Sequence, residues 1–219
     1  MTTNGQLQRE KELAAAAAAD FVEDGMSVGL GTGSTVGYLL PILAARGLAI
    51  RCIATSPRTE ELARRLGLVV DSFNDIRNLD IAIDGADQIS PDGWLIKGGG
   101  GAHTREKLVA VTSSRFIVIA DSSKPVDALH GPIPVELLAF GLGSTLRRLG
   151  SVSLRELPRS PDSGIIGDYH GPLGEPRATA AQLSSTPGVI EHGLFPPELV
   201  STAIIGRGEK VEMRNYSHS

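Results

Sequence analysis

Short apolar runs alternate with longer helix-favouring segments through the first half of the chain. The first helix is predicted over residues 7–22, where Ala, Glu, Lys and Leu dominate, and Gly25 suits a left-handed cap after it. The apolar runs that predict buried strands cover residues 27–30, 49–54, 68–70, 79–83, 94–96 and 116–120. The segments that predict further helices cover residues 36–46, 57–66 and 104–111, with Ser56 as the N-cap of the middle one. This alternation predicts a parallel sheet covered on both faces.

The pattern changes after Pro125, and the change predicts a second lobe. Polar, proline-rich joints between residues 158 and 176 separate the shorter elements that follow. We therefore predict an α/β protein whose Rossmann-like parallel-sheet domain covers residues 1–130 and 206–219. A smaller α+β lobe, with possible oligomer contacts, is predicted over residues 131–205.

Composition and charge exclude several classes of protein. Of the 219 residues, 41% are hydrophobic, which argues against intrinsic disorder, and the 26 Gly follow no triplet period, which excludes collagen. With 21 basic and 25 acidic side chains, the net charge of −4 excludes a protein that binds nucleic acid through bulk charge. No apolar stretch approaches the roughly 20 residues of a membrane span, and the N-terminus does not resemble a secretion signal. We expect a cytoplasmic protein with no membrane partner.

Metal and disulfide chemistry have no support in the sequence. Cys52 is the single cysteine, so an intramolecular disulfide is impossible, and no Cys-x-x-Cys motif or Cys/His cluster suggests zinc. The five histidines fall in unrelated contexts and predict neither a metal site nor a catalytic triad. We therefore predict no metal site.

The segment Gly31-Thr32-Gly33-Ser34-Thr35 joins a predicted strand to a predicted helix. Glycines let a phosphate approach the backbone, N–H groups at a helix N-terminus point outward, and the hydroxyl groups add donors. The loop is not a Walker loop, because no Gly-Lys-Ser/Thr follows, and its glycine spacing is wrong for a dinucleotide fingerprint. A tight turn with a hydroxyl cap and no ligand is the alternative. The position at the carboxyl end of a strand favours phosphate.

Two carboxylates follow the apolar strand at 81–83, in the turn Asp84-Gly85-Ala86-Asp87. They lie where open α/β sheets bind ligands, so they could bind sugar hydroxyls or assist ring opening by proton transfer. An Asx turn or a helix cap explains two aspartates in a glycine turn equally well. A divalent cation is a further option, although no third acidic ligand or histidine accompanies the pair.

Four consecutive glycines, Gly98 to Gly101, form the most specific of these motifs. Such a run has a large conformational-entropy cost, which a structural turn rarely requires. It suits backbone N–H groups that face a substrate oxyanion, with Lys97 supplying a positive charge at the start of the loop. Glu106, in the first turns of the next helix, is then a candidate carboxylate base. The alternative is a flexible linker with Glu106 and Lys107 on a solvated helix face.

Lys124 follows the last apolar strand, in the segment Asp121-Ser122-Ser123-Lys124. By itself it would be an ordinary surface lysine. At the same sheet edge as the other loops, it would be a second cation for the substrate or the product.

Together these loops resemble the ribose-5-phosphate isomerases of the A type. The segments that carry the resemblance, in family order, are Gly29 to Thr35, Asp80 to Asp87, Lys97 to Lys107, Ala120 to Lys124 and Pro134 to Glu136. Weaker similarity continues through three short segments, which are Thr186 to Val189, Gly193 to Phe195 and Ile204 to Gly206. Five motifs in the family order argue strongly against chance similarity.

The resemblance implies an aldose–ketose isomerase of the pentose phosphate pathway that interconverts D-ribose 5-phosphate and D-ribulose 5-phosphate without a metal or an organic cofactor. Glu106 would move a proton between C2 and C1 through an enediolate, and Lys97 with the glycine N–H groups would stabilise charge on the carbonyl oxygen. The catalytic residues it implies are Glu106, Lys97, Asp84 and Asp87. The substrate-binding residues it implies are Thr32, Gly33, Ser34, Thr35, Asp84, Gly85, Ala86, Asp87, Lys97, Gly98, Gly99, Gly100 and Lys124. It also implies a homodimer or a dimer of dimers.

The chain departs from the family pattern in two places, and other functions stay open. Gln88 stands where an acidic residue usually follows the second aspartate, and Asp162-Ser163-Gly164 replaces the usual Asp-Asn-Gly-Asn turn. Lys11, which would reach phosphate in the family, matches only loosely. Related folds host sugar-phosphate deaminases, lactonases, CoA transferases with a nucleophilic glutamate, and non-catalytic sugar-phosphate sensors, so the fold alone does not decide the function.

Overall fold

The computed structural model describes residues 3–216, and the predicted α/β architecture is confirmed. The six helices of this range are α1 (Asn4–Ala19), α2 (Ser34–Ala45), α3 (Pro57–Arg65), α4 (His103–Thr112), α5 (Leu142–Leu149) and α6 (Pro176–Ser185). Its strands are β1 (Ser27–Leu30), β2 (Arg51–Ala54), β3 (Val69–Val70), β4 (Ile81–Gly85), β5 (Gln88–Ile89), β6 (Leu95–Ile96), β7 (Phe116–Ala120), β8 (Ile133–Leu137), β9 (Val152–Leu154), β10 (Ile165–Tyr169), β11 (Val189–His192), β12 (Leu194–Phe195), β13 (Thr202–Arg207) and β14 (Lys210–Asn215). None of these helices is both long and apolar enough to cross a membrane.

The described chain divides into two compact units. Within residues 3–216, the second unit consists of 87–104 and 125–197, and the remainder forms the first unit. The sequence assigns residues 87–104 and 125–130 to the first domain, whereas here they belong to the second unit. In that unit β6 pairs with β12, and β5 pairs with β6. It also assigns residues 198–205 to the second lobe, but they belong to the first unit, where β13 pairs with β7. The predicted domain bounds also include residues 1–2 and 217–219, which lie outside the described residues.

A seven-stranded sheet forms the core layer of the first unit. Its strand order is β14-β13-β7-β4-β1-β2-β3, and every neighbouring pair is parallel except β13 with β14. The chain proceeds from β1 to β2 and β3 on one side of the sheet, and then to β4 and β7 on the other. Such a reversal leaves a crevice outside the carboxyl ends of the two central strands, where open α/β sheets bind ligands. The ends of β1 and β4 are therefore the expected position of a ligand site.

Helix α1 packs through small side chains. Ala14, Ala15, Ala18 and Ala19 are each 1% exposed or less, and their spacing places them on one face of the helix. The helix begins three residues before the predicted start because the hydroxyl of Thr3 accepts the N–H of Gln6 as an N-cap, and it ends three residues early, at Ala19.

The second unit is built on two antiparallel sheets, as the predicted α+β lobe requires. One has the order β11-β8-β10-β9 and the other β12-β6-β5. Every residue of β8 is buried, because this strand is central to its sheet and its apolar side chains join the hydrophobic core of the unit. The same core includes Leu194, from β12 of the smaller sheet, and Trp94, which directly precedes β6 of that sheet.

Candidate active site

The glycine loop of the first unit is built around the carboxylate of Asp84. The N–H groups of Thr32 and Gly85 donate to Asp84 Oδ1 at 3.0 and 2.7 Å. Asp84 is 3% exposed and belongs to β4, not to the turn in which the sequence placed it. The N–H of Gly85 belongs to the residue directly after Asp84, whereas an Asx turn accepts the N–H two residues on, so this contact is not the Asx turn that the sequence left open. The same oxygen also fixes the start of the candidate phosphate loop.

Gly31 is required for this close approach. A Cβ atom at Gly31 would lie 1.9 Å from Asp84 Oδ1 and 2.5 Å from Asp84 Cβ, far inside van der Waals contact. Since Asp84 is buried in the strand and hydrogen bonded to the loop, it has little room to move away. The glycine therefore lets the ends of β1 and β4 meet.

We expect Gly31→Ala to destabilise the protein by about 1–3 kcal/mol, the usual range for an overpacked core position. Gly37→Ala is the matched control, because Gly37 lies within α2 and nothing lies within 4 Å of a Cβ built there. Alanine favours a helix interior, so this control should be about 0.5–1 kcal/mol more stable than the wild type. Urea unfolding of the three proteins measures both effects. Equal stability of Gly31→Ala and the wild type would contradict the steric argument.

The N-terminus of α2 collects groups that suit an anion. The helix begins at Ser34. Gly33 precedes it with φ +144°, a backbone conformation that residues other than glycine rarely adopt. The ammonium group of Lys11 donates to Ser34 Oγ at 3.0 Å and lies 3.7 Å from Asp121 Oδ2. A cation next to the positive end of a helix favours a bound anion. The structure thus brings Lys11, whose sequence match was loose, to the predicted phosphate loop.

Hydroxyl groups from the segment between β2 and α3 and from the first turn of α3 contact the side chain of Thr32. Its Oγ1 lies 2.8 Å from Thr55 Oγ1 and 3.2 Å from Thr59 Oγ1. Thr59 also donates to the carbonyl oxygen of Gly31 at 3.0 Å. Ser56 caps α3 by accepting the N–H of Thr59 at 3.2 Å, as predicted from the sequence. The loop that contains Gly31 and Thr32 is therefore held by a network of hydroxyl groups, which no local sequence motif predicted.

Lys124 stands at the end of a turn that α1 holds in place. Its N–H donates to the carbonyl oxygen of Asp121 at 3.2 Å, and its side chain is half-buried. The carboxylate of Glu10 accepts the N–H groups of Ser122 and Gly208 at 2.9 and 2.8 Å. Burial by itself raises the pKa of Glu10, but these hydrogen bonds favour the charged form more strongly and keep the pKa below its ordinary value. Glu10 therefore ties α1 to the loop that carries Lys124.

Glu106 lies in the first turn of α4 and is 4% exposed. The helix extends one residue beyond the predicted range of 104–111 at each end. Val109, three residues on, lies so close to β1 that a Cβ atom at Gly29 would be 2.4 Å from Val109 Cγ1. Residues three apart share a helix face, so Glu106 lies on the face that packs on β1. This carboxylate is buried, which excludes the solvated helix face that was its alternative.

Lys97 opens the glycine loop of the second unit and is 2% exposed. Its ammonium nitrogen lies 5.4 Å from the ring centroid of Phe195, a cation–π distance. Its backbone N–H donates to the carbonyl oxygen of Gly193 at 2.9 Å, and a Cβ at Gly193 would lie 2.1 Å from the carbonyl oxygen of Lys97. The weakly matching segment Gly193 to Phe195 thus anchors the most specific motif.

The glycine run forms a compact turn. Gly98 has φ +104°, and a Cβ there would lie 2.7 Å from His103 Nδ1. The N–H of Gly101 donates to the carbonyl oxygen of Gly98 at 3.0 Å, and the N–H of Gly99 donates to Asp87 Oδ2 at 2.8 Å. The loop is an ordered turn, which excludes the flexible linker considered from the sequence. Of its three predicted oxyanion donors, that of Gly99 is engaged by Asp87 in this structure.

Arg155 also contacts this loop, and the sequence did not single it out. Its Nη1 donates to the carbonyl oxygens of Gly98 and Gly99 at 2.8 and 2.9 Å. Asp168 accepts two further hydrogen bonds from the guanidinium, at 2.7 and 2.8 Å. These bonds lower the pKa of the Asp168 carboxyl and raise that of Arg155. Arg155 follows a short strand without a motif, so no local signal could have identified it.

The two departures from the family pattern have local structural roles. Gln88 pairs with the backbone of His130, accepting its N–H at 2.9 Å and donating to its carbonyl oxygen at 2.8 Å. In the altered turn, Ser163 has φ +69°, and Ser160 Oγ accepts the N–H of Gly164 at 3.0 Å. A serine hydroxyl therefore closes this turn.

The structure brings the predicted residues together in groups within each unit. In the first unit these are Gly31, Thr32, Asp84 and Gly85, then Lys11 with Ser34, and finally the turn from Asp121 to Lys124. In the second they are Asp87 with Gly99, and Lys97, whose contact with Phe195 the sequence did not predict. Ala86 directly follows β4 and is half-buried, and Thr35 is buried in α2. Among residues 3–216, no cluster of three or more His, Cys, Asp or Glu side chains could hold a metal ion.

Comparison with known proteins identifies the family. A family model for ribose 5-phosphate isomerase A (phosphoriboisomerase A) matches residues 51–210. The chain is 44% identical over 219 residues to ribose-5-phosphate isomerase A of Sphingopyxis alaskensis, covering 94% of this chain and 96% of that protein. It is 43% identical over 218 residues to the protein of that name from Caulobacter vibrioides (strain NA1000 / CB15N), covering 92% and 96%.

A solved structure agrees with these sequence relatives. Ribose 5-phosphate isomerase A from Neisseria gonorrhoeae matches with a TM-score of 0.92 and 34% identity, covering 100% of both chains. The similarity thus extends over both units and is not confined to the motif-bearing loops. The chain belongs to the ribose 5-phosphate isomerase A family of isomerases, as its five ordered motifs predict.

Proposed function

We propose that this chain interconverts D-ribose 5-phosphate and D-ribulose 5-phosphate through an enediolate, with Glu106 as the general base. The carboxylate removes the proton from C2 of the open-chain aldose, and negative charge develops on the oxygen at C1. Lys97 and the N–H groups of Gly98 and Gly100 stabilise that charge. Glu106 returns the proton to C1, and the hydroxyl proton of O2 passes to O1, which completes the ketose.

The observation that carries this proposal is the burial of Glu106 and Lys97, at 4% and 2% exposure. Acidic and basic side chains are rarely buried to this degree, and buried ionisable groups are concentrated at functional sites. Proton transfer next to a carbonyl requires a base and a group that stabilises the developing negative charge. The buried carboxylate of Glu106 suits the first role, and the buried ammonium of Lys97, at the start of the glycine turn, suits the second. Their order in the chain, on either side of the glycine run, matches the family motif.

The remaining groups support a phosphorylated sugar as the substrate. The N-terminus of α2, with Ser34 and the ammonium of Lys11, offers donors and positive charge to a phosphate. Asp87 is exposed and has one oxygen bound to Gly99, so its other oxygen can accept a sugar hydroxyl. Asp84 holds the phosphate loop, and its carboxylate would assist ring opening.

The reaction is part of the pentose phosphate pathway in this proposal, and the enzyme is a cytoplasmic homodimer or dimer of dimers.

The proposal is tested by following the formation of ribulose 5-phosphate from ribose 5-phosphate with EDTA in excess. We expect full activity after chelation, because every group in the proposed mechanism belongs to the chain. In D2O, deuterium should enter the product at C1 if the proton passes through an exchangeable carboxyl. A protein that binds ribose 5-phosphate without converting it would contradict the proposal and favour a sugar-phosphate sensor.

A further inference from the structure

The side chain of Arg155 reaches the glycine loop from the side of its carbonyl groups. One guanidinium nitrogen, Nη1, donates to the carbonyl oxygens of both Gly98 and Gly99, at 2.8 and 2.9 Å. The side chain is 16% exposed, and so most of it is withdrawn from water. Two consecutive peptide groups are therefore held by a single charged donor, and hydrogen bonds with a charged partner are stronger than neutral ones.

These contacts determine where the N–H groups of the loop point. The peptide bonds of the loop are trans, and in a trans peptide the C=O and the N–H point in opposite directions. The peptide between Gly98 and Gly99 is held at both ends, by Arg155 at its oxygen and by Asp87 at its N–H. In the next peptide, the oxygen of Gly99 faces Arg155, so the N–H of Gly100 points away from the guanidinium.

Asp168 makes the guanidinium a rigid support. Its two oxygens accept from Nε and Nη2 of Arg155 at 2.8 and 2.7 Å, an arrangement that fixes the plane of the group. Asp168 is 18% exposed and compensates the charge of Arg155. The pair therefore acts on the loop through hydrogen bonds to its backbone and adds little net charge there. A lysine could not replace it, because an ammonium has no planar fork.

We propose that Arg155 is a positioning residue that holds the glycine loop in its donor-presenting conformation, with the N–H of Gly100 turned towards the substrate oxygen. The inference rests on the proposed isomerase function, in which this N–H stabilises charge on the oxygen at C1. Arg155 touches only the back of the loop and so acts through Gly98 and Gly99. A glycine run has many accessible conformations, and Arg155 removes that freedom before the substrate binds.

The test compares Arg155→Lys and Asp168→Asn with Arg159→Lys, a matched control in the same segment whose arginine is exposed. We expect kcat of Arg155→Lys to fall about 10–10²-fold, since misplacing a catalytic group by about 1 Å has an effect of that size. KM should change by less than about threefold, because the phosphate and hydroxyl contacts are kept. Asp168→Asn should show the same division between kcat and KM with a smaller loss, and Arg159→Lys should match the wild type.

Two ligands separate positioning from a general structural role. A hydroxamate of a four-carbon sugar phosphate mimics the planar enediolate, and ribitol 5-phosphate mimics the open chain without a carbonyl. In Arg155→Lys, the Kd of the hydroxamate should rise in proportion to the loss of kcat/KM, while the Kd of ribitol 5-phosphate stays within about threefold. Equal weakening of both ligands, or kcat within about twofold of the wild type in both variants, would overturn the inference.

Hydrogen exchange provides a readout that does not depend on the reaction. The amide protons of Gly99 and Gly101 should exchange faster in Arg155→Lys than in Arg159→Lys, because the turn loses its support. Unchanged exchange would overturn the inference even if activity fell. An inactive wild type with this difference in exchange would contradict only the proposed function, so the two failures are distinguishable.

Discussion

Replacing Glu106 by glutamine is expected to lower kcat for ribose 5-phosphate by about 10²–10⁴-fold, the range for loss of a general base. The amide keeps the size of the side chain in its buried position but cannot accept the C2 proton. Binding of ribitol 5-phosphate should stay within a few-fold, because the phosphate and hydroxyl contacts are unchanged. Steady-state kinetics and calorimetric titration measure the two effects.

Glu61→Gln is the matched control for this substitution. Glu61 is an exposed helical glutamate whose contact with Arg65 is a surface pair at 3.8 Å, and such pairs contribute little. Its kcat should equal that of the wild type. A primary isotope effect with substrate deuterated at C2 would show that the step assigned to Glu106 limits the rate. If Glu106→Gln keeps wild-type turnover, another group is the base.

Replacing Lys97 by methionine is expected to lower kcat/KM by about 10²–10³-fold, as for removal of one oxyanion donor. Methionine preserves much of the volume beside Phe195, so the loop should keep its packing while it loses its cation. Both kcat and the affinity for substrate should fall, because the ammonium group interacts with the ground-state oxygen and with the enediolate.

Lys210→Met supplies the control for a lost positive charge, because Lys210 is exposed on β14. Its kinetics should be those of the wild type, and thermal melting should show whether either variant is unfolded. A Lys97→Met enzyme that loses thermal stability but keeps its kcat/KM would make Lys97 a structural residue. The ammonium group of Lys97 would then stabilise the folded glycine loop and have no role in the reaction.

The two main alternatives make different demands on the same residues. A sensor needs the phosphate-binding groups at α2 but has no use for a buried base, and Glu106 is 4% exposed. A CoA transferase would need Glu106 as a nucleophile that forms a covalent adduct with its substrate. The isomerase proposal uses the carboxylate only to carry a proton, and it also accounts for the glycine turn after Lys97.

The local sequence predicted the elements whose signals lie within a few residues. The bounds of β1 and β7 agree with their apolar runs, and the cap at Ser56 agrees with its spacing to Thr59. These features arise from hydrogen bonds and side-chain patterns over one to four positions, which the chain displays directly. The ordered motifs likewise predicted the family, because each motif is a short contiguous segment.

Some assignments within the candidate site needed the tertiary structure. The sequence left Asp84 open between a turn and a ligand, and the strand pairing of β1 with β4 put its carboxylate against Thr32. The sequence also grouped 87–104 with the first domain, because it does not show that β6 pairs with a strand almost a hundred residues away. Pairing between distant strands depends on complementary faces, and many short apolar runs satisfy that requirement.

Sequence by itself determined the fold class, the family and the motif residues of this protein. Only the tertiary structure decided which N–H groups of the glycine loop are already engaged and what holds that loop from behind. Arg155 lies 57 residues from Gly98 along the chain, and nothing in its neighbourhood marks it as part of the loop. The physical reason is that its contacts are made to backbone oxygens, which every residue possesses, so their partner is chosen by folding and not by residue type.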